Sequence, residues 1–308
     1  MLKGEDRDRY RKFPAFTAGF RPLLKEYIMK IPPLNTFKAV AATTGWLKTR
    51  IGGRRPEFAI IAGSGLSDAL PELGNKLVIP YEKIPGFPAP TVKGHKGELI
   101  FGRSGEREVV IMRGRFHYYE GRPLNFIAFP VRVLGALGVK KLLLTAAVGS
   151  LKPSIKPGEL LLLKDHINLM GSNPLIGNYD PAFGEMFPDM NEPYDAPLRK
   201  TAVSAAKKLG LAVKTGVYTA VTGPSYETPA EVGVYRLLGG DVAGMSVVPE
   251  TIAARQLKMR VLGLCWISNF ASGISKRTLS HEEVLHLGAS VSVRIKALLE
   301  SLLRSKAV

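Results

Sequence analysis

The sequence predicts an α/β fold: a single domain with a central mixed β-sheet covered by helices. Three observations carry this. Short apolar runs alternate with segments of helical period, as expected of strands buried under helices. Of 308 residues, 45% are hydrophobic, enough for one large core at a length where a single α/β domain is common. Turn and cap residues punctuate the alternation: Gly63-Ser64-Gly65 ends the first strand, and Thr228 and Pro229 are a cap and a first helical residue of the expected kind.

Taken in order, residues 58–62 (Phe-Ala-Ile-Ile-Ala) read as a buried strand, and Gly63-Ser64-Gly65 as the turn that ends it. Residues 98–101 and 108–112 pair across a glycine-containing turn. Residues 125–137 are helical, 141–147 and 159–168 are strands, and 197–209 form an amphipathic helix. Residues 215–222 are the next strand, and Thr228 with Glu231 makes a capping box for a helix that starts at Pro229. Residues 241–245 end another strand, before a helix opened by Pro249. Residues 260–268 are the last strand and 281–304 a long terminal helix, entered through a capping box of Ser280 and Glu283. In that helix Leu287, Val291, Ile295, Leu298 and Leu302 recur at spacings of three and four, one buried stripe.

Residues 1–33 stand apart as a basic N-terminal extension, read as accessory or disordered, with 34–308 as the folded domain. The extension carries eight Lys and Arg and ends at Pro32-Pro33. It lacks the apolar core of a secretory signal, and Glu5, Asp6 and Asp8 argue against a transit peptide. Met29 offers an alternative start. The single cysteine, Cys265, excludes an intrachain disulfide framework and favours a reducing, cytoplasmic compartment. No apolar run approaches the roughly 20 residues of a bilayer span. The charge of +17 suits a nucleic-acid surface or a basic face that attracts anionic substrates. Without an accompanying RNA- or DNA-binding motif, the second reading is preferred.

The unusual residues fall at the carboxyl ends of strands, where such sheets bind ligands. Gly63-Ser64-Gly65-Leu66 brings backbone N–H groups and a hydroxyl to an anion. The run Arg113-Gly-Arg115-Phe-His117-Tyr-Tyr119-Glu120-Gly121 concentrates cations and rings that are costly in a core and read as anion binding beside an aromatic wall. His95, between glycines, is read either as a loop residue or as a ligand of the same anion. Tyr226 and Glu227 fall in a strand-to-helix turn, and a carboxylate beside a phenol suits a heterocycle with N–H donors. Asn269 ends the last strand, where a buried amide needs partners. His281, in the first turn of a helix, is held neutral by the dipole and can bond a hydroxyl. No HExxH pattern, Cys/His cluster, Walker loop or nucleophile elbow appears, which points to catalysis by positioning and electrostatics.

From residue 35 onward these segments resemble the trimeric purine nucleoside phosphorylases, in that family's order and spacing. The resemblance rests on Gly63-Ser-Gly-Leu66, Gly94-His95, Gly114-Arg-Phe-His-Tyr-Tyr-Glu-Gly121, Gly223-Pro-Ser-Tyr-Glu-Thr228, Gly244-Met-Ser246, Val248-Pro-Glu250 and His281-Glu-Glu-Val284. It implies a nucleoside phosphorylase-like fold, a homotrimer, and a pentosyltransferase of purine salvage with inorganic phosphate as co-substrate and no cofactor or metal. By matching positions, phosphate would meet Ser64, His95, Arg115, His117, Ser246 and the backbone near Ala147. Ribose would contact Tyr119, Met245 and His281. The purine would lie on Tyr226, with Glu227 and Asn269 on its polar edge, and Phe183 would reach a neighbouring subunit's site. Asn269, Glu227 and His117 are the residues expected to carry catalysis. Because hypoxanthine and guanine bear an N1–H that Glu227 can accept, inosine, guanosine and their deoxy forms are expected over adenosine.

One segment departs from this pattern. Ala146-Ala-Val-Gly-Ser150 stands where the 6-oxopurine enzymes usually have Asn-Ala-Ala-Gly-Gly, and it leans toward the methylthioadenosine phosphorylases. Asn269, Glu227 and His281 together outweigh it. A methylthioadenosine enzyme is therefore one rival, and an RNA-associated basic protein is the rival from another class.

Overall fold

The computed structural model describes residues 37–63, 65–66, 69–88, 96–177, 180–275 and 281–305, with side chains for all of these except 281–286. The extension 1–33, Ser64, His95, the cap residue Ser280 and the side chain of His281 lie outside the described residues. Among the described residues nine strands and six α-helices follow one another: α1 (Phe37–Lys48), β1 (Phe58–Ile61), β2 (Gly74–Pro80), β3 (Glu98–Ser104), β4 (Arg107–Arg113), α2 (Leu124–Ala136), β5 (Lys141–Ser150), β6 (Leu160–Asn168), α3 (Ala196–Lys208), β7 (Val213–Ala220), α4 (Pro229–Leu237), β8 (Val242–Gly244), α5 (Val248–Gln256), β9 (Arg260–Phe270) and α6 (His281–Arg304). The expected mixed sheet covered by helices is present.

The sheet runs β2-β3-β4-β1-β5-β8-β7-β6-β9, and β9 also pairs with β5, so the five strands from β5 to β9 close on themselves. β1 lies parallel between β4 and β5. β5 and β9 are parallel along their length, while β6 meets β9 antiparallel and β7 parallel. Side chains alternate across a strand, and this sorts the core into two faces. Ala59, Ile61, Val110, Met112, Leu142 and Leu144 face α1, α2 and α5. Phe58, Ile60, Val109, Ile111 and Leu143 face α3 and α6. Strands buried on both sides read as unbroken apolar runs, which is why β1, β4 and β5 were legible. The stripe of α6 behaves as expected: Val291, Ile295, Leu298 and Leu302 are buried.

Two elements had no sequence signal. β2 is an edge strand exposed along most of its length, and its residues Gly-Asn-Lys-Leu-Val-Ile-Pro have no period. α1 buries only Val40, Thr43, Thr44 and Leu47, and its small, mixed residues hide the stripe. β5 also runs three residues beyond the expected end, because Gly149 and Ser150 pair with β8 on one side and β9 on the other. That extension carries the strand across the floor of the site.

Candidate active site

The carboxyl ends of β5, β8 and β9 and the segments after β4 and β7 surround one cavity of about 740 Å³, counted with its open mouth. Its lining includes Arg115, His117, Tyr119, Ala147, Tyr226, Glu227, Met245, Ser246 and Asn269. Residues far apart in sequence converge because β4, β5 and β9 share one direction through the sheet, while β8, parallel to β7 and antiparallel to β5, brings its carboxyl end against β5.

Arg115 forms the closed end. It follows β4 and is 1% exposed. Its Nη1 donates to the Thr145 carbonyl at 2.7 Å and to the Ser246 hydroxyl at 3.1 Å, and Nη2 reaches the Ile61 carbonyl at 3.5 Å. Its Nε lies 3.0 Å from the Glu250 carboxylate, itself 3% exposed. The end of β1 and the middle of β5 thus fix the guanidinium plane, and the first turn of α5 supplies its counter-charge. Thr145 also ties in the turn after β1, since its hydroxyl accepts from the Gly63 N–H at 2.8 Å. Gly63 has no room for a side chain: a Cβ there would lie 2.3 Å from the Thr145 carbonyl oxygen. Ser246 is held from behind, its N–H donating to the buried Tyr218 hydroxyl at 3.1 Å.

His117 is oriented by Glu120. The carboxylate accepts from the His117 backbone N–H at 2.7 Å and lies 3.0 Å from Nδ1, which selects the tautomer with its proton on Nδ1. The ring stacks on Tyr119 at 4.7 Å between centroids. Burial pushes the Tyr119 hydroxyl up to about 12, with Glu120 adding to it, so the phenol stays protonated and can donate.

The opposite end is more open. Tyr226 is 79% exposed, a ring without cover. Beside it, burial raises the Glu227 carboxyl above its ordinary value; a backbone hydrogen bond opposes this and Glu231 adds to it. The turn holds because Thr228 caps α4: its hydroxyl accepts from Glu231 N–H at 3.2 Å, and the Glu231 carboxylate accepts from Thr228 N–H at 2.8 Å. At the end of β9 the Asn269 amide is aligned by two neighbours. Its oxygen accepts from the Ser268 hydroxyl at 2.6 Å, and Nδ2 donates to the Phe270 carbonyl at 2.9 Å, leaving a second N–H on the same nitrogen. Met245 closes one wall, packed so tightly on Gly223 that a Cβ there would lie 2.3 Å from its sulfur.

Of the residues expected to touch substrate, the cavity therefore gathers every one whose side chain is described except Phe183. That ring is 4% exposed, lies 4.5 Å from the Arg132 guanidinium and 6.3 Å from the Phe37 ring, and is not part of the lining. The exposed aromatic of its loop is Phe187, at 83%. Sequence reasoning did not pick out the supporting residues Thr145, Tyr218, Ser268 and Glu250. Thr145 and Tyr218 gave a weak signal as polar groups inside apolar strands. Cys265, also buried, has its thiol pushed up to about 12 by burial and lies away from the cavity lining.

A buried arginine and a hydroxyl at one end, with a carboxylate, an amide and an open ring at the other, form a site for an anion and a polar heterocycle together. Residues 57–304 match the phosphorylase superfamily, and the chain belongs to that family. Within it, the chain is 47% identical to purine nucleoside phosphorylase 1 of Geobacillus stearothermophilus, over 82% of this chain and 92% of that protein. The Schistosoma mansoni purine nucleoside phosphorylase in complex with inosine aligns at 39% identity with a TM-score of 0.80, covering 87% of this chain and 96% of that one. Isoform 2 of the Schistosoma mansoni enzyme, solved with cytosine and ribose-1-phosphate, aligns at 35% identity with a TM-score of 0.82, covering 89% and 99%. Among the described residues, no helix is long and apolar enough to cross a membrane.

Proposed function

We propose that the chain is a purine-nucleoside phosphorylase that cleaves inosine, guanosine and their deoxy forms with inorganic phosphate, yielding free base and (deoxy)ribose 1-phosphate for purine salvage. The observation that carries this is the pairing, in one cavity, of Arg115 and Ser246 at the closed end with Glu227 and Asn269 beside Tyr226 at the other. The relatives' names and the inosine complex support it.

The chemistry follows from the residues. Phosphate held by Arg115, Ser246 and His117 sits below C1′ and attacks it, and by the resemblance Ser64 and His95 would add to its ligands. The C1′–N9 bond breaks as the C1′–O bond to phosphate forms, and the bond's electron pair leaves with the purine. The ribose passes through an oxocarbenium-like state beside Tyr119 and Met245, and by the resemblance His281 would meet its 5′-hydroxyl. Asn269, aligned through Ser268, donates to N7 or O6 as negative charge collects there, which binds the transition state more tightly than the substrate. Glu227 accepts the N1–H of a 6-oxopurine; adenine has a lone pair at that place, so the contact is lost. No protein nucleophile, metal or further cofactor is needed. The same proposal includes a cytoplasmic homotrimer in which the loop bearing Phe183 and Phe187 meets a neighbouring site.

The test is release of free base from inosine and, separately, from methylthioadenosine, each with and without phosphate. Hypoxanthine released only with phosphate is the expected result. Cleavage of methylthioadenosine alone would show that Val148 and Ser150 were the better guide to substrate. Binding to RNA that falls with salt and survives removal of residues 1–33, with neither nucleoside cleaved, would favour the RNA-associated reading.

A further inference from the structure

Glu250 takes no part in the reaction above, yet its carboxylate is 3% exposed and both of its oxygens are engaged. One lies 3.0 Å from Arg115 Nε; the other accepts from the Val247 N–H at 2.8 Å. The remaining partners of Arg115 are neutral oxygens of Thr145, Ser246 and Ile61. Among the described residues Glu250 is thus the one carboxylate paired with a guanidinium that has almost no access to water. An arginine buried that deeply needs a counter-charge to hold its place before an anion arrives.

The second oxygen acts on the backbone. Val247 has φ 68° and ψ −52°, the centre of a tight γ-turn closed by the Val248 N–H donating to the Ser246 carbonyl at 2.7 Å, a conformation that is costly for a β-branched residue. It lies between Ser246, which faces Arg115, and α5. A carboxylate clamped on its N–H holds the turn that aims the Ser246 hydroxyl. The two effects meet at one place: Glu250 fixes the cation through its charge and the hydroxyl through the backbone.

We propose that Glu250 is a positioning residue for phosphate, acting through Arg115 and the Ser246 turn without touching the anion. This rests on the phosphorolysis proposed above for its meaning in turnover, but the geometry makes a claim about phosphate affinity that can be read by itself. Because the carboxylate meets Arg115 at Nε, the Nη edge that reaches Thr145 and Ser246 stays turned toward the cavity.

The experiment uses the full chain and three variants, Glu250→Gln, Glu250→Asp and Arg115→Lys, with Glu250→Gln also made on the Arg115→Lys background. Inorganic phosphate binding is measured by calorimetric titration, and KM for phosphate and for inosine by steady-state kinetics. Support for an active-site group usually changes affinity by about 10- to 100-fold, so Glu250→Gln should weaken phosphate by at least about tenfold. The inosine KM should stay within about twofold. Glu250→Asp keeps the charge and should recover part of the loss. On the Arg115→Lys background, Glu250→Gln should add little, because residues acting as a unit are not additive. Equal rises in both KM values, or full additivity on the lysine background, would mean that Glu250 only supports the fold. If Glu250→Gln does not fold, the Asp variant and the phosphate titration decide the matter. A wild-type chain that binds phosphate but cleaves no nucleoside would overturn the phosphorolysis proposal and leave the Glu250 claim to the titration. Failure of the wild type to bind phosphate would overturn both.

Discussion

At the closed end of the cavity Arg115 is 1% exposed and already meets Glu250, Thr145 and Ser246; at the open end Tyr226 is 79% exposed and its ring is uncovered. The closed end is paired, hydrogen-bonded and part of the core, so its geometry is set by folding. The open end presents an exposed aromatic face and a carboxylate raised above its ordinary value. The difference matters for a reaction in which a small, symmetric anion must be aligned under one carbon. On the proposed reaction, a rigid closed end holding phosphate would fix the line of attack, whereas the open end could take the bulky base in and release it.

If the closed end is part of the core, removing its cation should damage folding as well as activity. Arg115→Met leaves Glu250 buried without a counter-charge, which costs about 3–5 kcal/mol of stability for pairs of this kind. Phosphorolysis should fall at the same time by about 10²- to 10³-fold, the range for losing one preorganised charge-stabilising group. Denaturant unfolding with and without phosphate checks the first part. A variant as stable as the wild type would show that Arg115 is an ordinary binding residue and that the contrast between the ends is false.

Tyr226→Ala should behave in the opposite way. An exposed ring adds little to the fold, so stability should change by less than about 0.5 kcal/mol. Stacking of a base on an aromatic side chain contributes about 1–3 kcal/mol, so the inosine KM should rise by about tenfold or more with the phosphate KM unchanged. A parallel rise in the phosphate KM would show that the two ends are coupled and that the open end also shapes the anion site.

The sequence revealed the two ends unequally, for a physical reason. Residues that face a ligand sit at strand ends in clusters of unusual type, such as Arg115 to Tyr119 or Tyr226 to Glu227, and their local pattern is visible. The Thr228 capping box was likewise local and reads directly from Thr-Pro-x-Glu. What stabilises Arg115 is not local: Thr145 and Glu250 reach it from β5 and α5, and nothing in the separate segments says that they meet. The closure of β5 onto β9 is hidden for the same reason, since pairing partners more than a hundred residues apart leave no periodic trace. β2 escaped because an exposed edge needs no apolar alternation. The loop Ala182-Phe-Gly-Glu-Met-Phe187 offers two rings of equal chemistry, and only packing on Arg132 tells the buried Phe183 from the exposed Phe187.

The smallest effect expected is a shift of pH dependence confined to the open end. Burial raises the Glu227 carboxyl above its ordinary value of 4.5, so on acidification it takes up its proton earlier than an exposed carboxylate would. The ionised form is the one that accepts a purine N1–H, so the inosine KM should rise as pH falls through that raised value. Stability moves the other way: a carboxyl whose pKa is raised by folding contributes stability fully present below its unfolded value and lost as pH rises through the folded one. Affinity for base and stability of the fold should therefore respond to Glu227 with opposite signs. Phosphate itself titrates in this range, so the informative quantity is the ratio of inosine KM between wild type and Glu227→Gln, taken at each pH from about 5 to 8. That ratio should narrow toward acid, because the wild type loses its charged acceptor there while the neutral amide of the variant does not titrate. A constant ratio would remove Glu227 from base recognition and leave the open end to Tyr226 and Asn269.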